Sequence, residues 1–267
     1  ALGAAAEDER TVAPVGYAYS TILGSGYYNI AGENLFVFAL PFSWQTEAMR
    51  EAPAPWKLLL PATTSLARVD DFMNDLTQRN ISGLLAKEIR ALSLVPGIEW
   101  TLPLDSSWIV RPRAQVGWAR DCGPDQPAHP ASPGPPARRY WDIRGHRVTW
   151  GNGLVGAIQQ LRHSGDRSGL ALLETGFDYD FDRIFHLMGA PVTPSVFILW
   201  QHFFNDLDIA RISAEPVTLR DMVHLGLTIG FREERTLLGI PYQRIGISLV
   251  RGDNDLKAIS LNLGFWL

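Results

Sequence analysis

Apolar residues alternate with small or polar residues along much of the chain, most clearly toward its C-terminus. One set there is Ile259, Leu261, Leu263, Phe265 and Leu267, and the other is Ala258, Ser260, Asn262, Gly264 and Trp266. Because successive side chains of a strand point to opposite faces, this period of two predicts a strand with one continuous apolar face. The same pattern recurs at 244–250, 222–232, 171–181, 108–119 and 98–104.

The face opposite the apolar one is rich in glycine and serine, with isolated charges among them. A soluble β-sandwich turns its apolar face inward and carries Lys, Thr and Glu on its outer face. Small residues instead suit the crowded inner surface of a narrow barrel whose apolar face meets lipid. The pattern therefore favours an all-β fold, a single transmembrane antiparallel β-barrel of about twelve strands.

The alternation and the turn residues divide the chain into strands. They are expected at 14–24, 32–41, 56–63, 92–104, 107–120, 139–150, 153–163, 168–182, 194–206, 222–233, 242–251 and 256–267. With both termini in the periplasm, Asp105–Ser106 and Gly151–Asn152 are tight periplasmic turns, and 64–91, 121–138 and 207–221 are longer outer loops. Short periplasmic turns and long outer loops are typical of such barrels. The connections 42–55 and 183–193 are long for periplasmic turns.

Two expected loops and one strand have a composition of their own. Residues 64–91 place Leu66, Val69, Phe72, Met73 and Leu76 at helical spacing after the possible caps Thr63, Thr64 and Ser65, which predicts a short helix. Residues 121–138 contain six prolines and are expected to be irregular. Pro112 falls within a strand, where it cannot donate a hydrogen bond, and predicts either a bulge or a slip of the strand register nearby.

Composition narrows the possible functions. The chain has 267 residues and a net charge of -4, spread out, so nothing indicates nucleic-acid binding. No run approaches the ~18 apolar residues that a spanning helix needs. Nine Trp, seven Tyr and twelve Phe suit the aromatic girdles of a barrel or a soluble core equally. The single cysteine, Cys122, excludes an intramolecular disulfide and a cysteine metal site.

The first residues look like the end of a secretory signal peptide. Small residues, Ala1 to Ala6, precede the acidic run Glu7-Asp8-Glu9. A flexible end of other origin is the alternative. We expect two regions. Residues 1–13 form a flexible N-terminal segment, the candidate signal-peptide remnant, and residues 14–267 form an outer-membrane β-barrel.

Charged residues on the small-residue face are the candidate functional residues. We expect them to line the lumen and pair across it: Glu99, Arg111, Arg113, Glu174, Asp178, Asp180, Arg232 and Arg244. No nucleophile, dinucleotide or phosphate-binding motif is present, so no catalytic residue, metal or cofactor is expected. The leading hypothesis is a non-enzymatic barrel with a structural or pore-like role.

Two alternatives stay open. One is an outer-membrane hydrolase of the lipase or lipid A deacylase type, with His202 or His224 in the site. The cluster at 200–206 joins aromatic residues to His202 and Asp206, but such an enzyme also needs a nucleophilic serine or a metal-activated water. The other alternative is a soluble all-β binding protein, whose apolar stripe would face a dry core.

Several segments are similar to the solitary outer-membrane autotransporter-type β-barrel family. They are 93–100 (SLVPGIEW), 105–108 (DSSW), 111–117 (RPRAQVG), 238–246 (LGIPYQRIG) and 262–265 (NLGF). The resemblance implies a twelve-stranded barrel like an autotransporter's translocator, with no passenger attached. The roughly 13 residues before the first expected strand are too few for a passenger domain. The family offers no catalytic residues to carry over.

The resemblance also implies a location and partners. The location is the bacterial outer membrane. The partners are outer-membrane lipids, lipopolysaccharide and the barrel-assembly machinery that inserts the chain, and the protein is expected to be a monomer. The chain departs from such barrels at its end, Phe265-Trp266-Leu267, because they usually end in Phe or Trp.

Overall fold

The computed structural model describes most of the chain as antiparallel β-sheet. It describes residues 23–30, 33–67, 89–121, 127–128, 131–134, 136–160, 167–181, 183–187, 189–209, 217–237 and 240–263. Within these ranges the strands belong to one sheet, and the all-β class expected from the sequence is confirmed. Among the helical residues described, no helix is long and apolar enough to cross a membrane.

The described ranges contain nineteen strand segments and one helical turn, α1 (Glu47–Arg50). The first nine strands are β1 (Ser25–Ile30), β2 (Glu33–Trp44), β3 (Trp56–Ala67), β4 (Ile89–Leu94), β5 (Gly97–Trp100), β6 (Leu102–Pro103), β7 (Trp108–Val110), β8 (Arg113–Val116) and β9 (Trp118–Asp121). The others are β10 (Pro127–Ala128), β11 (Ala131–Gly134), β12 (Ala137–Ile143), β13 (His146–Gln160), β14 (Arg167–Asp180), β15 (Phe185–Leu187), β16 (Ala190–Ile209), β17 (Val217–Leu237), β18 (Ile240–Gly252) and β19 (Lys257–Leu263).

When β4 to β6, β7 to β9 and β10 to β12 are each taken as one interrupted run, and β15 as part of the connection between β14 and β16, successive runs along the chain are neighbours in the sheet. β1 pairs with β2 on one side, with Tyr28 opposite Leu35, and with the last strand β19 on the other, with Tyr28 opposite Ala258. We call the end of the sheet with the hairpin at 144–145 the lower end. The end with the hairpin at 253–255 is the upper end. Because every pairing is antiparallel, consecutive connections alternate between these two ends.

Prolines break three consecutive stretches of strand into short segments. β4 ends before Pro96, β7 ends before Pro112, and β11 ends before Pro135 and Pro136. Proline has no backbone N–H and cannot donate to a ladder, so each break falls where a donor is missing. The carbonyl groups still accept: Trp100 N–H donates to Pro112 O at 2.9 Å and Val116 N–H to Pro96 O at 3.0 Å. A break in the ladder therefore takes the place of the bulge predicted at Pro112.

Burial separates the two faces of the sheet. In β17, Leu225 and Leu227 are 61% and 60% exposed, whereas the alternating His224 and Thr228 are buried. The same division runs through the other long strands. Exposed apolar side chains include Leu60, Leu92, Leu104, Val116, Leu154, Ile158, Phe177, Ile198, Ile247, Leu249, Ile259 and Leu261. The stripe assigned from the sequence to one face thus lies on the exposed side, and glycine, serine and threonine lie on the buried side.

The tight turn expected at Asp105–Ser106 lies between β6 and β7. The Asp105 Oδ1 atom accepts hydrogen bonds from Ser107 N–H at 2.6 Å, the Ser107 hydroxyl at 2.8 Å and Trp108 N–H at 2.9 Å. The pKa of the Asp105 carboxyl group lies below its ordinary value, first because Ser107 N–H donates to the ionised form and next because the Ser107 hydroxyl does. The aspartate fixes this turn through its own side chain.

The second tight turn was predicted at the wrong place. Gly151–Asn152 lies inside the continuous strand β13, and the hairpin is instead at Arg144 and Gly145, whose φ angles are +54° and +86°. Two consecutive positive φ angles are typical of a type I′ turn, whose twist matches that of the flanking strands. The predicted strand 139–150 therefore spans a hairpin, and β13 begins at His146 rather than at 153.

The first predicted strand and the predicted loops also need correction. Residues 1–22 lie outside the described residues, and with them the N-terminal segment 1–13 and most of the strand expected at 14–24. β1 instead occupies 25–30, which was expected to be a connection. The described residues of the proline-rich segment 121–138 are mostly strand: Pro127 begins β10, and Pro133 of β11 lies opposite Ala114 of β8.

The remaining connections are shorter than predicted. β3 continues through Ala67, so Thr63, Thr64 and Ser65 are strand residues and not helix caps. The expected helix positions from Val69 to Leu76 lie outside the described residues. β16 and β17 extend into the loop expected at 207–221 and leave only 210–216 undescribed. The connections expected at 42–55 and 183–193 contain α1 and the short strand β15, which pairs with β16.

Gly226 of β17 leaves room for an aromatic ring. It stands opposite Phe197 of β16, a buried residue whose ring occupies the space that a β-carbon on Gly226 would take. That carbon would also lie 2.9 Å from the Ile247 carbonyl oxygen. A side chain at this position therefore forces either the ring or the neighbouring strand to move.

We expect Gly226→Ala to lower the free energy of unfolding by about 1–3 kcal/mol, as overpacking does. Gly230→Ala is the control in the same strand, because its new carbon would meet no atom closer than 3.5 Å. Urea unfolding in detergent micelles, followed by tryptophan fluorescence, measures both. Equal stability of the two variants would contradict the packing described here.

Candidate functional site

The lower half of the buried face encloses a cavity of about 970 Å³, which we call the chamber. Its lining residues come mainly from the lower ends of β2, β3, β12, β13, β14, β16, β17 and β18, and Arg111 comes from the link between β7 and β8. The lining is strongly cationic, with seven basic and three acidic side chains. The basic ones are Arg50, Lys57, Arg111, Arg138, Arg147, Arg232 and Arg244, and the acidic ones are Asp142, Asp180 and Glu234.

Arg244 organises a polar network at the chamber wall. Its Nη1 atom lies 3.0 Å from both carboxylate oxygens of Asp178 and also donates to Ser195 at 2.9 Å. Its Nη2 atom donates to Asp180. Asp178 is completely buried, and the Ser195 hydroxyl lies 2.6 Å from that of Thr228. Four strands, β14 and β16 to β18, are therefore joined across the buried face by one guanidinium group.

A second ion pair joins Lys57 of β3 to Glu99 of β5, with 3.0 Å between Nζ and Oε1. The two residues stand opposite each other in the register of these strands. Lys57 and Arg244 are paired, and Arg138 has an interaction partner of its own. The other four arginines of the chamber lining share two carboxylates, those of Asp142 and Glu234. The chamber thus has an excess of positive charge, although the whole chain carries -4.

Above the chamber, a buried chain of hydrogen bonds crosses three strands. The Gln201 amide donates to Glu174 Oε1 at 2.6 Å, and its oxygen lies 2.8 Å from His224 Nε2. Because an amide oxygen only accepts, His224 donates through Nε2. All three side chains are buried. The His224 imidazole therefore forms part of a buried hydrogen-bonded network through the Gln201 amide.

In the upper half of the buried face, apolar side chains form a cluster that we call the apolar core. It includes Leu23, Tyr28, Ile30, Val37, Val155, Leu170, Leu172, Phe203, Leu219, Met222, Val250, Leu256 and Ala258. These residues come from the upper halves of β1, β2, β13, β14 and β16 to β19, and from Leu23 and Leu256 beside β1 and β19. Five of them have no exposed surface: Tyr28, Leu172, Phe203, Leu219 and Met222. Side chains of eight strands therefore meet there in a single water-excluding cluster.

His202 lies on the exposed face near the upper end, in an aromatic group with Trp200 and Phe204. Its Nδ1 atom is 2.9 Å from Asp221 Oδ1, which also accepts from the Trp200 indole at 2.9 Å. Among the described contacts, no serine hydroxyl reaches either His202 or His224. The lipid hydrolase proposed as an alternative needs such a nucleophile or a metal, and no described group of His, Cys, Asp and Glu could hold a metal ion.

Aromatic residues form a second group on the exposed face at the lower end. Trp150 stacks with Trp141 and Phe177 at ring-centroid distances of 6.3 Å, and Trp108 packs edge-on at 6.0 Å. The Arg139 guanidinium lies over the rings of Trp108 and Trp141, 5.4 and 5.0 Å from their centroids. Aromatic side chains therefore mark both ends of the exposed apolar face.

The structure brings four of the eight predicted lumen residues to the chamber. Arg111, Asp180, Arg232 and Arg244 line it. Glu99, Glu174 and Asp178 lie buried behind or above it, and Arg113 is half-buried opposite Glu99 in the register of β5 and β8. Sequence reasoning missed Lys57, Arg138 and Arg147. The first lies at a strand start, and the other two fall in or next to the segment whose hairpin was misplaced.

Comparison with protein-family models and with curated proteins gives no match. Among solved structures, the chain is similar to the beta domain of the Bordetella autotransporter BrkA, at 11% sequence identity and a TM-score of 0.49. The similarity covers 90% of this chain and 96% of that domain.

Proposed function

We propose that this chain is a closed barrel of twelve strands in the bacterial outer membrane, of the autotransporter-translocator type, with a structural or pore-like and non-catalytic role. One observation carries the proposal: the apolar side of nearly every long strand is exposed, while the small and polar side is buried. Water-soluble proteins rarely expose contiguous apolar patches larger than a few hundred Å². Lipid acyl chains satisfy such a surface.

The strand pairing supports closure. β4, β5 and β6 pair with β9, β8 and β7 in reverse order, as the two arms of one interrupted hairpin do. β7, β8 and β9 pair in the same way with β12, β11 and β10. Among the described residues, counting each interrupted run as one strand, and β15 as part of a connection, gives twelve, and an even number is typical of bacterial barrels. The pairing of β1 with β19 then joins the first strand to the last.

The aromatic groups support a membrane position. They lie at the two ends of the exposed apolar face, where girdles of Trp, Tyr and Phe meet the headgroup regions. Arg139 lies over the rings of Trp108 and Trp141. From there its aliphatic carbons can contact the rings while its guanidinium group faces the lipid headgroups. We place the lower end in the periplasm, with lipids and lipopolysaccharide against the exposed face and the assembly machinery as the partner during insertion.

The test is to express the chain behind an export signal in a Gram-negative host. The protein should fractionate with the outer membrane and migrate faster on a detergent gel when it is not boiled, because a closed barrel resists unfolding by the detergent. A second sample, extracted without detergent, should stay insoluble. Recovery as a soluble periplasmic protein with a single gel mobility would refute the proposal and favour a soluble binding protein.

A further inference from the structure

The chamber differs from the rest of the interior in both charge and access to water. All of its lining residues lie in the lower half of the molecule, and four of its arginines share two lining carboxylates once Lys57, Arg138 and Arg244 are set aside as paired. Among the described residues, Arg111 and Arg232 form no ion pair. The buried Nε atom of Arg111 has no hydrogen-bond partner there. A buried guanidinium donor without a partner is costly unless a ligand or water satisfies it.

The apolar core lies between this chamber and the upper end. Its members are fully or almost fully buried and come from eight strands. The described polar side chains of the neighbouring strands at the same level, Thr63, Ser65 and Ser93, are buried as well. Among the described side chains, an ion that enters the chamber from the lower end therefore meets buried, water-excluding groups above it, where the cost of removing its hydration is high.

We infer that the chamber is a blind binding site for a small anion that carries several phosphate or carboxylate groups. The inference rests on the proposed function, because it takes the lower end as the open mouth of a membrane barrel. The ligand enters and leaves by that mouth, and its anionic groups bind the arginines that lack acidic partners. The site therefore holds a solute at the periplasmic surface and does not conduct it across the membrane.

The size and the donors of the chamber suit such a ligand. Small-molecule sites in proteins usually have volumes of about 300–1,000 Å³, and the chamber measures about 970 Å³. Guanidinium groups bind phosphate and carboxylate through two parallel hydrogen bonds, which a point charge does not do. Arg111 of the link between β7 and β8 and Arg232 of β17 bring two such groups to the chamber from well-separated strands.

Isothermal titration calorimetry on the full chain in non-ionic detergent micelles tests the inference. The probes are inorganic tripolyphosphate and citrate, which distinguish phosphate from carboxylate recognition. We expect at least one of them to bind at one site per chain, with an affinity that falls as salt is added, because the contacts are between charges. Binding of neither probe would overturn the inference.

The variants locate the binding. The double variant Arg111→Gln with Arg232→Gln should weaken binding at least tenfold. Arg251→Gln removes the same charge from the exposed face near the upper end and should change affinity less than twofold. If the chamber variant and the control bound the probe with equal affinity, the heat of binding would come from unspecific contacts with surface charges, and the inference would be overturned.

Planar bilayer recording and gel mobility separate this inference from the proposed function. A protein with heat-dependent mobility, tripolyphosphate or citrate binding and no conductance steps fits both. Regular anion-selective steps from a normally folded barrel would overturn the blind site and leave the membrane barrel in place. Loss of the heat-dependent mobility in the wild-type chain would instead refute the proposed function itself.

Discussion

Leu227→Arg should lower the free energy of unfolding in phospholipid vesicles by about 2–4 kcal/mol. Leu227 is 60% exposed in the middle of β17, with Ile247 of β18 directly beside it and Val196 of β16 on the other side. An arginine there must leave water and enter the hydrocarbon layer, which accounts for the size of the loss. At an exposed position of a water-soluble protein, the same substitution stays within about 0.5 kcal/mol.

The control for this substitution is Asn205→Arg. Asn205 is exposed in the irregular part of β16 near the upper end, where the side chain reaches water or headgroups. Urea titration of vesicle-inserted protein, followed by tryptophan fluorescence, measures both variants. If both variants lowered the free energy of unfolding by the same small amount, Leu227 would face water and its assignment to the lipid-facing side would be wrong.

Asp178→Ala should cost about 3–5 kcal/mol of unfolding free energy. The Asp178 carboxylate has no exposed surface, and both of its oxygens lie 3.0 Å from Arg244 Nη1. Its removal takes one acidic partner from the largely buried Arg244 guanidinium, so the penalty is that of a less well compensated buried charge. Unfolding by urea in detergent micelles gives the value.

Two further variants show that this loss belongs to the pair. Asp178→Leu combined with Arg244→Met removes both charges and should recover most of the stability, since apolar residues can replace a buried ion pair at little cost. Asp142→Ala removes an exposed carboxylate from the same chamber and should change stability by less than about 0.5 kcal/mol. A double variant as unstable as Asp178→Ala would contradict the compensation between the two groups.

The division into two faces could be predicted from the sequence because it depends only on local geometry. In β18 and β19, side chains alternate whatever the strand pairs with, so Ile247 and Ile259 could be assigned to one face and Ser248 and Ser260 to the other. In the structure the two isoleucines are exposed and the two serines are buried. The turn at Asp105 could be predicted for a similar, local reason, since an aspartate can close a turn with its own side chain.

The hairpin near residue 145 could not be placed in this way. Gly151-Asn152-Gly153 has the composition of a turn, yet Gly151 and Gly153 are buried residues of β13. Glycine serves there as a small residue on the crowded inner face, and its turn-forming conformations are not used. The actual turn begins with Arg144, a residue that rarely adopts a positive φ, so composition gave no signal for it.

The chamber was also beyond the reach of periodicity. Alternation assigns Arg111 and Leu172 to the same face but does not say how far each lies from the ends of the sheet. That depth depends on strand register and on the places where prolines interrupt β4 to β12. Only the registered sheet separates an arginine-rich lower half from an apolar upper half, and Lys57, Arg138 and Arg147 join the chamber through that separation.

Spin labels placed one at a time along β17 measure directly which face meets the bilayer. In a Cys122→Ser background and in phospholipid vesicles, labels at 223, 225, 227 and 229 should collide more with oxygen than with a water-soluble nickel complex. Labels at 222, 224 and 228 should show little access to oxygen. A scan in which the odd positions are shielded from both reagents, and the even positions meet the nickel complex, would mean that the apolar side is a dry core and that the chain does not span a membrane.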